Sequence, residues 1–121
     1  MLVANGKVVY DLLSARAELK DARVAILRLE QFYPFPGAAL GQALAAYPQD
    51  AEWVFVQEEP RNMGAWRFVR EQFLDGKVGS PQRPIRYIGR RELASPAPGS
   101  HRVFQQEQEA LVNEALARPS P

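Results

Sequence analysis

The 121-residue chain is 46% hydrophobic, enough for one core, and its length is that of a single domain spanning 1–121. Fifteen Lys and Arg stand against fourteen Asp and Glu, a formal charge of +1, so no global field draws the chain to nucleic acid or to an anionic membrane. Cysteine is absent, which excludes disulfides, thiolate metal sites and thiol nucleophiles, and no apolar run nears the roughly 20 residues that span a bilayer.

The absence of cysteine is compatible with a reducing compartment, the cytosol by default, and the first residues do not have the layout of a secretory signal. Leu2-Val3-Ala4 is a short apolar run that ends in the turn pair Asn5-Gly6. After it Val9, Leu12, Leu13 and Ala17 fall on one helical face. Val24 to Leu29 is rich in branched residues and barely alternates, the pattern of a strand covered on both faces. Pro34 and Pro36 break the chain, and Leu40, Ala43, Leu44 and Tyr47 then mark an amphipathic helix that closes near Pro48.

Trp53-Val54-Phe55-Val56 is the most hydrophobic run, and its aromatic and β-branched residues predict a central strand. A charged, turn-rich corner follows, with Asn62 as the expected cap of a helix carrying Trp66, Val69 and Phe73 on one face and ending at Asp75-Gly76. Lys77 to Pro84 reads as a polar loop, Ile85 to Ile88 as a fourth strand, and Gly89 to Gly99 as an irregular connection. Ser100 is placed to cap a last helix whose apolar stripe is Phe104, Leu111 and Ala115, broadened by Val112 and Leu116 and fraying at Arg118-Pro119. Strand and helix alternate four times, which predicts a three-layer α/β domain: a mainly parallel sheet with helices on both faces.

In such a sheet ligands meet the carboxyl ends of the strands, and that edge collects Asn5-Gly6, Glu30-Gln31, Glu58-Glu59 and Arg90-Arg91. Glu58 and Glu59 do not form an acid–base pair, because neighbours on an extended chain point to opposite faces. One is expected to bond backbone donors or an arginine of the next loop, the other to meet solvent or a partner subunit. Arg61 and Asn62 at one helix start, and Ser95, Ser100, His101 and Arg102 at another, are candidates for an anionic effector; capping and surface ion pairs are the alternative. His101 is the sole histidine, so a histidine-rich metal site is impossible, and no Gly-x-Ser-x-Gly elbow accompanies it. Trp53, Trp66, Phe55, Phe68 and Phe73 read as core or as subunit interface. No catalytic residue and no metal ligand is assigned.

Four segments carry a family resemblance: Gly6-Lys7-Val8-Val9-Tyr10-Asp11-Leu12-Leu13, Glu30-Gln31-Phe32-Tyr33-Pro34-Phe35-Pro36, the corner Gln57 to Trp66, and Ala94 to His101. In this order they resemble the C-terminal domain of the 2-oxoglutarate dehydrogenase decarboxylating component, a thiamine-diphosphate-dependent oxidoreductase of the tricarboxylic acid cycle. The resemblance implies a fold similar to the C-terminal domain of transketolase. It also implies a parent enzyme that uses thiamine diphosphate and magnesium to decarboxylate 2-oxoglutarate and passes succinyl to a lipoyl-bearing acyltransferase component of a multienzyme complex. The implied partners are preceding domains of the parent chain and a second subunit, with Glu58, Glu59 and Trp66 as interface candidates. In some relatives a nucleotide or acetyl-coenzyme A effector binds. The implied compartment is the bacterial cytoplasm, or the mitochondrial matrix in a eukaryote.

The family's Gly-Asp-Gly cofactor segment is absent from this sequence, as are the Gly-rich nucleotide loops, so no cofactor-binding residue is assigned within it. Phe104 stands near where many relatives have a histidine, and Asn5 replaces a typical cysteine or serine. The start at Met1, directly on a strand, is that of a fragment expected to be inactive alone. Three alternatives stay open: a free-standing module that binds a phosphate-bearing metabolite, an oligomerisation domain, and a relative acting on 2-oxoadipate.

Overall fold

The structure, a computed structural model, describes residues 1–20, 23–79 and 84–116. Strand and helix alternate along them: β1 (Leu2–Ala4), α1 (Val8–Leu19), β2 (Ile26–Arg28), α2 (Gly37–Ala45), β3 (Trp53–Pro60), α3 (Trp66–Leu74), β4 (Ile85–Arg90) and α4 (His101–Leu116). The strands form one sheet in the order β2-β1-β3-β4, and every neighbouring pair is parallel. The three-layer expectation holds.

Successive side chains of a strand point to opposite faces, and here both faces are apolar. Leu2 and Ala4 of β1 join Val54 and Val56 of β3 on one side, where α1 and α4 cover them with Val8, Val9, Leu12, Leu111, Val112 and Leu116. Val3, Trp53 and Phe55 point the other way, into Leu40 and Leu44 of α2 and Trp66, Val69 and Phe73 of α3. This is why the sequence runs around Val3 and Phe55 do not alternate: a polar residue on either face would be buried.

The edges depart from the expectation. Only Ile26–Arg28 of the run from Val24 to Leu29 is strand, and it is the sheet's outer edge, half-buried rather than enclosed. In α1 the buried side chains are Val8, Val9 and Leu12; Leu13 and Ala17, assigned to the same face, are exposed. Helix α2 stops at Ala45, which leaves Tyr47 at 42% exposure outside its apolar stripe. Strand β3 runs on to Pro60 through Gln57, Glu58 and Glu59, residues read as a corner. Lys77 to Pro84 is described only in part, and the expected fraying at Arg118-Pro119 lies outside the described residues.

Candidate functional site

From β1 the chain crosses to β2 on one side, and later to β3 on the other, so the connections diverge at the carboxyl ends of β1 and β3, where ligands of open α/β sheets bind. Gly6, at φ +70°, turns the chain there and starts α1 at Val8. Lys7 and Asp11 therefore stand one helical turn apart over the rim, paired at 3.4 Å. Glu58 rises from β3 to meet them, its Oε1 4.0 Å from Lys7 Nζ.

Helix α4 closes this crevice with Gln108. Its Nε2 donates to Asp11 Oδ2 and to Glu58 Oε1, each at 2.8 Å, so both amide hydrogens are used. Its Oε1 accepts from Arg90 Nη2 at 3.2 Å. Arg90 ends β4, and its side chain is only 3% exposed. Its Nε donates to Glu107 Oε2 at 2.9 Å, its Nη1 to the Glu58 carbonyl, and its guanidinium carbon lies 4.5 Å from the Phe104 ring centroid. A buried guanidinium is tolerated only when charge and hydrogen bonds are both met, and here every nitrogen has a partner.

A second polar hub holds the corner between β3 and α3. Gln57 is 1% exposed, its Oε1 accepts the Trp66 N–H at 2.9 Å, and its Nε2 reaches the carbonyls of Glu59, Pro60 and Met63 at 3.2, 3.1 and 2.8 Å. Gly64 is required beside it: its φ is +65°, and a Cβ there would lie 2.8 Å from Gln57 Oε1. The Tyr87 hydroxyl, with its single proton, donates to the Arg90 carbonyl at 2.8 Å and has the Glu59 carbonyl as a second, longer acceptor at 3.2 Å. Burial pushes its phenol above the usual tyrosine range, partly offset by Gln57, Arg61 and Arg90 nearby.

Each candidate residue now has a place. Glu58 faces inward to Gln108 and Lys7 rather than to an arginine side chain, and Glu59 is exposed. Asn62 does not cap α3, whose first residue is Trp66 and whose cap position is Ala65. Instead its amide bonds both backbone groups of Leu93, at 2.9 and 3.1 Å, tying the corner to the loop after β4. Arg61 lies over the Tyr87 ring at 5.4 Å. Ser95 bonds the Ala97 carbonyl at 3.1 Å. Ser100 precedes α4, and its carbonyl accepts the Phe104 N–H at 2.9 Å. His101 and Arg102 open α4, exposed, and His101 lines a groove of about 840 Å³ between α1 and α4 together with Lys7, Asp11 and Gln108.

Trp66, read as core or as subunit interface, lies in the core of this domain. It is 5% exposed and lies against Phe55 at 6.2 Å and Tyr87 at 5.2 Å, because α3 lays its apolar face directly on β3 and β4. Sequence reasoning placed Arg90 on this edge without giving it a role, and it assigned no site role to Asp11, Gln57, Glu107 or Gln108. Gln108 had a signal: it sits in the stripe of Phe104, Leu111 and Val112, at helical spacing where an apolar residue belongs. Among the described residues no three His, Cys, Asp or Glu side chains converge to hold a metal ion. The side chains at this rim do not fit a magnesium-bridged diphosphate, since their carboxylates are already held by amide and ammonium groups of the chain itself.

Residues 1–116 match the profile of the family described as 2-oxoglutarate dehydrogenase C-terminal. The chain belongs to this family. Its members here are the C-terminal parts of E1 components, and the relatives are bacterial. The 2-oxoglutarate dehydrogenase E1 component of Rickettsia felis is 40% identical over 96% of this chain, that of Coxiella burnetii 39% over 96%, and that of Cupriavidus necator 38% over 98%. In each case the chain covers 12% of the relative's length. No helix of this 2-oxoglutarate dehydrogenase C-terminal domain is long and apolar enough to cross a membrane, among the described residues.

Proposed function

We propose that the chain serves as the packing and positioning domain of a 2-oxoglutarate dehydrogenase E1 component and performs no chemistry itself. The observation that carries this reading is the state of the carboxyl rim. Where an α/β enzyme would present free groups to a substrate, Gln108 and Arg90 spend their donors on Asp11, Glu58 and Glu107 within the domain. Such a rim holds α1, β3, β4 and α4 in fixed register and presents a rigid body to neighbours. The parent enzyme would supply thiamine diphosphate and magnesium from other domains, decarboxylate 2-oxoglutarate and pass succinyl to a lipoyl-bearing acyltransferase. Placement of catalytic groups within a fraction of an ångström is worth large factors in rate, which gives a purely positioning domain its purpose.

The test is an E1 assay with thiamine diphosphate, magnesium, 2-oxoglutarate and an artificial electron acceptor. The chain alone gives no turnover, and added to a C-terminally shortened E1 relative it raises that relative's activity. Turnover by the chain alone sinks the reading. An anionic effector is a second reading, favoured by the exposed Arg61 and Arg102, neither of which meets a carboxylate among the described residues. Calorimetry with adenine nucleotides and acetyl-coenzyme A tests it, and absence of heat at millimolar ligand ends it.

A further inference from the structure

The loop from β2 to α2 holds the ring of Tyr33 at 91% exposure. The base of the loop is fixed. Gln31 Nε2 donates to the Pro34 carbonyl at 2.8 Å and the Gly37 N–H to the Phe35 carbonyl at 2.9 Å. Phe32 and Phe35 both meet Phe68 of α3 edge-on, at 6.3 and 5.8 Å between ring centroids. A large aromatic ring is thus held into solvent on a stiff support, and the entropy of ordering the loop is already spent in the free domain. Tyrosine so placed is the residue type that dominates protein interfaces.

The surface that continues from this ring has a second peculiarity. From Gln31 to Gln49 the chain carries no Asp, Glu, Lys or Arg, although 24% of all its residues are charged. At the chain's own frequency these positions would hold about four or five charges, as a water-facing surface needs. Yet α2 exposes Ala38, Ala39, Gln42 and Ala45 from this very stretch. A charge-free exposed helix beside an exposed, rigid tyrosine is the composition of a surface that is covered in the working protein.

We propose that the face made by the Tyr33 loop and the outer side of α2 docks onto the remainder of an E1 polypeptide. This rests on the reading above, and the occupant follows from length: the chain covers only 12% of each E1 relative, so the domain's ordinary neighbour is a much larger folded body of the same polypeptide type. Its contact surface is uncharged and receives the Tyr33 ring in a pocket, with the alanine face of α2 packed beside it.

The experiment measures binding of the 121-residue chain to the Cupriavidus necator E1 component shortened by its matching C-terminal segment and shown to be folded by circular dichroism. Tyr33→Ser and Ala38→Glu each weaken binding tenfold or more, while Leu19→Ser, on α1 and 62% exposed, changes it less than threefold. Ala38 is in the first turn of α2, where a carboxylate is compatible with the helix dipole, so the second variant folds. If the wild-type chain binds and both variants bind within threefold of it, the docking face is wrong and the parent-chain reading stands. If the wild-type chain does not bind the folded partner, both fall. Sedimentation of the chain alone reports self-association: a dimer dispersed by Tyr33→Ser would assign the face to a second copy and overturn the proposal.

Discussion

Gln108 donates to Asp11 at 2.8 Å across 97 positions of chain, and the same amide group reaches Glu58 at 2.8 Å. One side chain of the last helix therefore ties the first helix to the central strand. Replacing Gln108 with Leu keeps the volume and leaves Asp11, Glu58 and Arg90 each short of a partner. A loss of about 2–3 kcal/mol of folding stability is expected, because unsatisfied partners of a partly buried group cost more than the bond itself. Urea denaturation of Gln108→Leu against wild type measures it.

Arg90 is the more sensitive position. Arg90→Met strands Glu107 and removes bonds to Glu58 and Gln108, with an expected cost of about 3–5 kcal/mol. Arg90→Lys keeps the charge and cannot reach three acceptors in one plane, so it falls between the two. The order wild type, Lys, Met in midpoint urea concentration is the readout, and equal midpoints for Lys and wild type would show that charge alone matters.

Gly64→Ala tests the Gln57 hub. The left-handed backbone costs about 1–2 kcal/mol for any residue with a Cβ, and the new methyl also displaces the Gln57 amide from Trp66. Gly79→Ala is the comparison: its φ is +110° but no atom lies within 4 Å of the added carbon, so it carries backbone strain without a clash. Thermal unfolding should place Gly64→Ala below Gly79→Ala.

Tyr87 gives an alkaline signature. Its phenol is held above the usual tyrosine range, chiefly by burial, so the folded state favours the protonated form. The associated stability is fully present below the unfolded pKa and is lost as pH rises through the folded one. Tyrosinate absorbance compared between wild type and Tyr87→Phe isolates the Tyr87 ionisation, which is expected above the usual tyrosine range. Tyr87→Phe removes that ionisation and flattens the loss of stability at alkaline pH.

Much of the fold was legible because strands buried on both faces must be apolar at every position, and the runs at Leu2 to Ala4 and Trp53 to Val56 obey this. The limits of β3 and β4 were not legible. Gln57, Glu58 and Glu59 look like a turn by composition, and they are strand because Gln108, Arg90 and the corner backbone satisfy them, partners that lie up to 50 positions away. Asn62 failed as a cap for a related reason: Leu93 offered both a donor and an acceptor to its amide, a better match than the one N–H at a helix start. The resemblance of four segments to E1 components was readable in full. The polar hub was not, since a lone glutamine in an apolar stripe reads as noise until the opposite helix is in place.

The position of β1 between β2 and β3 bears on how the domain is made. Within this domain Leu2–Ala4 is made before the other strands, yet it has only one neighbour to pair with until Trp53–Pro60 has emerged some fifty residues later. During that interval an apolar segment waits with one side open, the kind of delayed pairing that slows acquisition of native structure and invites capture by chaperones.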